Sequence, residues 1–251
     1  MLEPELPDRA CALFFDFDGT LVDLAPRPSA VHVVADVPAL LAELSAALCG
    51  AVAVVSGRPL AEIDHFLRPV TLPAAGVHGV ERRRADGRVS RLDCSELHEA
   101  ATGIQALCQR HPALIMEAKP GAMALHYRQA PELEAECLAA MSDALARVQG
   151  MDLMRGKRVV ELKPSNAGKG HAVRAFMDET PFQRRQPWFF GDDVTDEAAF
   201  DAVQALGGVS VKIGEGDTGA SHRLTDPAAL HGWMRRLAAR LGSTRACGES
   251  V

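Results

Sequence analysis

The sequence predicts an α/β protein: a Rossmann-like, doubly wound parallel sheet with an inserted α+β cap. Three observations predict it. Short apolar runs of strand length alternate with amphipathic helical stretches at both ends of the chain, the pattern of a parallel sheet covered on both faces. Those runs end in polar, glycine-containing stretches such as Asp16-Phe17-Asp18-Gly19-Thr20, Ser56-Gly57-Arg58-Pro59 and Gly191-Asp192-Asp193. In open α/β sheets, ligands bind at those carboxyl ends. Between them the pattern changes to hairpin signals with interspersed helices, which build an antiparallel sheet backed by helices. On that shift the core is placed at 1–81 and 164–251, and the cap at 82–163.

The elements follow in order. The apolar run before Asp16 makes a first strand over 11–16. After a proline-containing loop, Pro38 suits the first turn of a helix over 38–48, with Leu40, Leu41, Leu44 and Leu48 as its apolar stripe. A second strand spans 51–55, followed by a helix with Leu60, Ile63 and Leu67 on one face. A third strand over 72–77 ends in His78-Gly79. Residues 80–92 read as a hairpin turning at Asp86-Gly87, with Arg82, Arg83 and Arg84 on a solvated face. The cap continues with a helix over 95–110 and two strands over 114–127 joined around Pro120-Gly121. A helix over 131–148 and a hairpin over 153–163, turning near Arg155-Gly156, complete it. The parallel pattern then resumes. A helix opens at Gly168-Lys169-Gly170, strands fall at 188–190 and 209–213, one helix runs to Leu206 and another spans 231–241. The tail over 243–251 is expected to fray.

Composition excludes several classes. The chain has 251 residues, 47% of them apolar, and a formal net charge of −6. That is enough for a real core and disfavours general nucleic-acid binding, which uses a basic face. One Tyr and two Trp leave little material for base stacking. Cys11, Cys49, Cys94, Cys108, Cys137 and Cys247 are scattered, which suggests no zinc knuckle or redox pair and fits a reducing compartment. No stretch approaches a signal-peptide core or a membrane span. The expectation is a soluble, cytoplasmic monomer without membrane or nucleic-acid partners.

The chemistry gathers at the strand ends. Alternation along a strand puts Asp16 and Asp18 on one face. Two such anions repel unless a cation or shared proton intervenes, and a hard cation held by carboxylates and a phosphate is the usual Mg²⁺ arrangement. An Asx-type turn is the alternative. Ser56 and Gly57 either cap a helix or offer a hydroxyl and a close N–H to an anion. Capping explains Asp196 and Glu197, but not the adjacent Asp192 and Asp193 that precede them. Lys169 at a helix N-terminus opposes the macrodipole, a conflict that a nearby phosphate or aspartate removes.

In this order, Asp16-x-Asp18-Gly19-Thr20, a strand ending in Ser56, Lys169 and Gly191-Asp192-Asp193 resemble the haloacid dehalogenase-like phosphatase superfamily. A closer resemblance is to the trehalose-6-phosphate phosphatase family. It rests on Val54-Val55-Ser56-Gly57-Arg58-Pro59, Gly76-Val77-His78-Gly79, Ala124-Leu125-His126-Tyr127-Arg128, Glu161-Leu162-Lys163-Pro164 and Gly191-Asp192-Asp193-Val194-Thr195-Asp196-Glu197. Ala118, where an acid is common, and Asn166, where glycine is common, depart from the family pattern.

The resemblance implies roles. Asp16 would be the nucleophile and Asp18 the acid and base, with Lys169 also catalytic. Mg²⁺ would be held by Asp16, the Asp18 carbonyl and Asp192, with Asp193 and Asp196 behind them. Ser56, Gly57, Arg58 and Lys169 would hold phosphate. His78, Glu117, Lys119, His126, Arg128 and Glu161 would contact the sugar of trehalose 6-phosphate. By alternation Glu117 and Lys119 share one strand face, and His126 and Arg128 another. A sucrose- or glucosylglycerol-phosphate phosphatase and a non-catalytic phosphosugar-binding module are the alternatives.

Overall fold

The computed structural model describes residues 3–25, 31–91, 96–119, 121–156, 158–165 and 167–242. The sequence expectations at Asn166 and over 243–251 fall outside them. Strand β1 (Cys11–Phe15) is buried at every position, as a strand covered on both faces must be. It pairs in parallel with β2 (Val52–Val55) on one side and with β10 (Gln186–Gly191) on the other. Beyond β2 lies β3 (Ala74–Gly76), and beyond β10 lie β11 (Val209–Ile213) and β12 (His222–Leu224), all parallel. The chain thus leaves β1 in one direction across the sheet and later returns on its other side. That reversal is the switch point at which such sheets open a ligand crevice.

Helices α1 (Val37–Ala47), α2 (Leu60–Phe66), α5 (Lys169–Met177), α6 (Glu197–Ala205) and α7 (Pro227–Gly242) belong to the same unit. The pleat of β1 decides what each face packs. Phe14 meets Phe176 and Phe182, with ring centroids at 5.9 and 5.3 Å. Phe15 stacks on Phe190 at 5.0 Å, and Phe190 in turn meets Trp233 at 4.9 Å. Burying each such ring contributes roughly 1.5–3 kcal/mol. Helix α7 begins at Pro227, earlier than the apolar pattern suggests, because Asp226 accepts the Ala229 N–H at 2.8 Å and caps it. The three-residue β12 is too short to show a period and escapes the sequence reading.

Among the described residues the sheet has eight strands, because β4 (Glu81–Arg83) and β5 (Val89–Arg91) extend it past β3. The sequence reading placed this hairpin in the insert. Instead the turn Val77–Gly79 reverses the chain, and Glu81 returns opposite Gly76. The charged alternation that looked like a change of architecture is the polar edge of the core sheet. Nor are its arginines simply solvated. Arg83 pairs with Asp64 at 2.6 and 2.8 Å. Arg82 and Arg84 both bond Glu179, and the Arg82 guanidinium lies 5.2 Å over the Phe176 ring.

The chain divides into one compact unit of Met1–Ser90 with Gly168–Val251 and a second of Arg91–Ala167. The second unit is an antiparallel sheet in the order β6 (Ile115–Lys119), β7 (Ala122–His126), β9 (Val159–Pro164), β8 (Met151–Gly156). Helices α3 (Glu96–Arg110) and α4 (Glu134–Leu145) pack on one of its faces, through Ile104, Leu107 and Met141 against Met123, Leu125, Val160 and Leu162. The β8–β9 turn comes after Gly156, slightly later than expected. Strand β7 stops at His126, so Arg128 lies on an exposed turn and shares no strand face with His126. Tyr127 ends the strand by turning inward, its hydroxyl donating to Glu134 at 3.0 Å.

Cys11, Cys108 and Cys137 are free thiols, but Cys49 is disulfide-bonded, against the expectation of scattered thiols. Spacing along a chain does not reveal pairs that folding creates. Among the described residues no helix is long and apolar enough to cross a membrane.

The edge hairpin yields a pH prediction. The Arg84 hydrogen bond, opposed by burial and assisted by Arg82, holds the Glu179 carboxyl down to about 2, from an ordinary 4.5. A depressed carboxylate stabilises the fold above its unfolded pKa and loses that contribution as pH falls from about 4.5 to about 2. Glu179→Gln should therefore lower the melting temperature at pH 7, and the gap from wild type should close across that window. An equal gap at pH 7 and pH 2.5 would count against the pairing.

Candidate active site

The Asp16 N–H donates to the Phe190 carbonyl at 2.9 Å, extending the β1–β10 ladder by one residue. The Asp16 side chain is carried into the interior, where Lys169 Nζ lies 2.8 Å from its carboxylate and 2.7 Å from that of Asp196. All three groups are buried. The cation at the start of α5 is thus answered by two anions, which removes its conflict with the helix dipole.

Asp196 uses its two oxygens differently. Oδ1 takes Lys169, while Oδ2 accepts the N–H groups of Asp192 and Asp193 at 3.0 and 3.1 Å. Asp193 in turn accepts from Thr195, completing a capping box. Capping therefore accounts for only half of Asp196. Gly191 must be glycine here, since a Cβ would stand 2.3 Å from the Asp196 carboxyl carbon.

The Asp192 carboxylate leans against Gly19. A Cβ at Gly19 would lie 2.1 Å from Asp192 Oδ2, and its φ of +77° already favours glycine. One oxygen each from Asp16, Asp192 and Asp196 lies within 4.8 Å of the others. Acids far apart in the sequence thus meet, as the strand-end pattern required.

Asp18 does not join them through its side chain. Arg58 holds its carboxylate in a two-pronged pair, Nε to Oδ2 at 2.6 Å and Nη2 to Oδ1 at 2.7 Å. Arg58 also reaches Glu62 at 2.8 Å, and its guanidinium lies 4.9 Å from the Phe66 ring centroid. Lys169 thus partners the carboxylate of Asp16 and Arg58 that of Asp18. Buried Ser56, at the end of β2, accepts the Arg58 N–H at 3.2 Å. Gly57 is exposed beside it.

The remaining sequence-selected residues stand elsewhere. His78 lies on the turn after β3. In the second unit Glu117 bonds His126 at 2.8 Å, Lys119 ends β6, and Glu161 is central in β9. Sequence reasoning missed Lys212, a buried lysine on β11 whose Nζ donates to the carbonyls of Asp192 and Ile213. A charged residue inside a predicted strand was its one available signal.

The electrostatics follow the geometry. Burial pushes the Asp16 carboxyl well above the usual range, against the pull of Lys169. Burial also raises Asp196. Asp192 is pushed up to about 6 by burial first, then by Asp196 and Asp193. Burial works against Asp193 too, but its Thr195 bonds and Lys169 win and hold it low. Burial opposes the Lys169 charge, yet Asp16 and Asp196 outweigh it and push its pKa up. Four carboxylates, Asp16, Asp192, Asp193 and Asp196, are thus answered by two ammonium groups, Lys169 and Lys212. With all ionised, the excess matches one divalent cation, and an all-oxygen donor set suits a hard one. An anionic oxygen beside a fixed ammonium can attack an electrophile whose own negative charge the ammonium offsets.

This architecture is that of haloacid dehalogenase-like hydrolases. The crystal structure of one from Bacteroides thetaiotaomicron matches with a TM-score of 0.65 over 90% of this chain and 98% of its own, at 12% identity. An Aspergillus fumigatus trehalose-6-phosphate phosphatase matches with a TM-score of 0.73 at 27% identity, over 94% of this chain and 98% of its own. The trehalose-6-phosphate phosphatase of Escherichia coli (strain K12) is 40% identical over 98% of this chain and 94% of its own length. A probable trehalose-phosphate phosphatase of Sinorhizobium fredii (strain NBRC 101917 / NGR234) is 44% identical over 81% and 77%. The trehalose-phosphatase family model matches residues 14–229. The chain belongs to the trehalose-phosphatase family.

Removing the ammonium tests the site's internal balance. Lys169→Met leaves two buried carboxylates facing each other and should cost about 3–5 kcal/mol of unfolding free energy. Adding Asp16→Asn and Asp196→Asn should recover part of that, because the three residues are coupled. A triple variant less stable than Lys169→Met alone would contradict this.

Proposed function

We propose that the chain hydrolyses trehalose 6-phosphate to trehalose and phosphate through an aspartyl-phosphate on Asp16. The supporting observation is the Lys169 ammonium fixed at 2.8 Å from the Asp16 carboxylate, with the Asp192 carboxylate gathered beside them. An Asp16 oxygen attacks phosphorus, and the P–O bond to the sugar breaks. Asp18 donates the proton that the departing sugar oxygen needs. The Asp18 carboxylate then takes a proton from a water that attacks phosphorus, releasing phosphate and restoring Asp16. Arg58 holds the Asp18 carboxylate between transfers, and that pairing loosens whenever Asp18 carries the proton. Lys169, Ser56 and the Gly57 N–H hold the phosphoryl oxygens, with Arg58 near them, where preset donors act on developing charge.

Mg²⁺ fits the acidic group. Asp16, the Asp18 carbonyl and Asp192 would hold it, with Asp193 and Asp196 supporting. When bound it offsets the repulsion between the Asp16 carboxylate and the phosphoryl group. Residues 91–167 act as the specificity cap, in which Glu117, Lys119, His126, Arg128 and Glu161 contact sugar hydroxyls; His78 adds a contact from the core. Sites that bond hydroxyls can reject analogues lacking them by ~10⁴ or more.

Two experiments test this reading. Asp16→Asn should cut phosphate release from trehalose 6-phosphate by several orders of magnitude; a variant with wild-type turnover would refute the mechanism. The second uses pH. The raised Asp192 carboxyl favours the metal-free fold when protonated, so its contribution is lost as pH rises from about 3.8 to about 6. The rise in melting temperature on adding Mg²⁺ should therefore grow across that window. A Mg²⁺ effect equal at pH 4 and pH 7 would oppose the placement of Asp192 at the metal.

A further inference from the structure

Two lysines are buried among the described residues, and they are used differently. Lys169 pairs with two carboxylates. Lys212 donates instead to two main-chain carbonyls, those of Asp192 and Ile213, the latter at 3.1 Å. Burying a charge on neutral carbonyls alone is costly, and β11 needs no charge for its ladder. The place of Lys212 shows what the charge does. It is the register partner of Gly191, the last residue of β10. Its ammonium therefore reaches one residue past that strand's end, onto Asp192.

Asp192 is thereby held at both of its main-chain polar groups. Its N–H donates to Asp196 Oδ2 at 3.0 Å, and its carbonyl accepts from Lys212. An anion meets the donor and a cation meets the acceptor, so both bonds are of the strong, charge-assisted kind. With both flanking peptides fixed, the direction of the carboxylate depends only on its own side-chain torsions. Gly19 limits those, since even a Cβ there would stand 2.1 Å from Oδ2. Burial, Asp196 and Asp193 push the Asp192 carboxyl up, Lys169 pulls it down, and Lys212 pulls less than any of them acts. Lys212 thus bears on where Asp192 stands more than on its charge.

We infer that Lys212 is a positioning residue for the metal: by fixing the Asp192 main chain it presets that carboxylate for Mg²⁺ in preference to larger cations. This rests on the reading of Asp192 as a Mg²⁺ ligand. Mg²⁺ demands near-octahedral ligands at short range, whereas Ca²⁺ accepts looser and more variable sets. A residue that sets a ligand's direction therefore matters more to Mg²⁺ than to Ca²⁺. A residue acting by charge alone would repel both ions, and its removal would tighten both. The test is calorimetric titration of the metal-free protein with MgCl₂ and, separately, CaCl₂, in wild type and Lys212→Met. The Mg²⁺ dissociation constant should rise about tenfold or more in the variant. The Ca²⁺ constant should rise less, so the preference for Mg²⁺ falls. A folded variant with wild-type Mg²⁺ affinity, with tighter binding, or with both ions weakened by the same factor would overturn the inference. If Lys212→Met does not fold, Lys212→Gln, uncharged and one atom shorter, decides by the same criterion. Asp192→Asn separates the two levels. Unchanged Mg²⁺ affinity there would refute the metal reading, and the role of Lys212 with it, whereas loss there beside no loss in the Lys212 variants would refute Lys212 alone.

Discussion

A single buried ammonium organises the core. Lys169 stands between Asp16 from the end of β1 and Asp196 from the turn after β10, at 2.8 and 2.7 Å. Each partner alone would be an expensive buried charge. Together they tie the start of α5 to two strands that enter the fold far apart in sequence. The other oxygen of Asp196 then holds the Asp192 and Asp193 backbone, so the same interaction shapes the loop that brings Asp192 against Gly19.

The sheet makes that meeting possible. Parallel register aligns Phe15 with both Val54 and Phe190, so β1, β2 and β10 end together. Polar groups following those ends converge without any strand interior giving up its apolar character. Stability and chemistry are thereby separated. Phe14 and Phe15 anchor β1 on its two faces, while the next residue carries the carboxylate that Lys169 engages.

Much of this was legible in the sequence, and the exceptions have physical causes. The buried run before Asp16 reads clearly because a continuous apolar run leaves few alternatives, and the strand at 209–213 because Val209, Val211 and Ile213 alternate with polar residues. Lys169 was legible as an electrostatic conflict in need of an anion. The allegiance of the 81–91 hairpin was not, since an edge strand of the core and a strand of the insert show the same charged alternation. The separation of Asp16 from Asp18 was also hidden. Strand alternation places two carboxylates on one face, but the chain leaves β1 at Phe15, and Arg58 claims Asp18. Lys212 offered only a charge inside a strand, and its main-chain carbonyl partners leave no side-chain pattern to read.

The most direct measurement is chemical trapping of the covalent state. Enzyme mixed with trehalose 6-phosphate and Mg²⁺ is acid-quenched within a turnover, reduced with borohydride and mapped by mass spectrometry. The account predicts that Asp16 alone becomes homoserine, the product of reducing an aspartyl-phosphate. Modification at another carboxylate, or none while phosphate is being released, would contradict it.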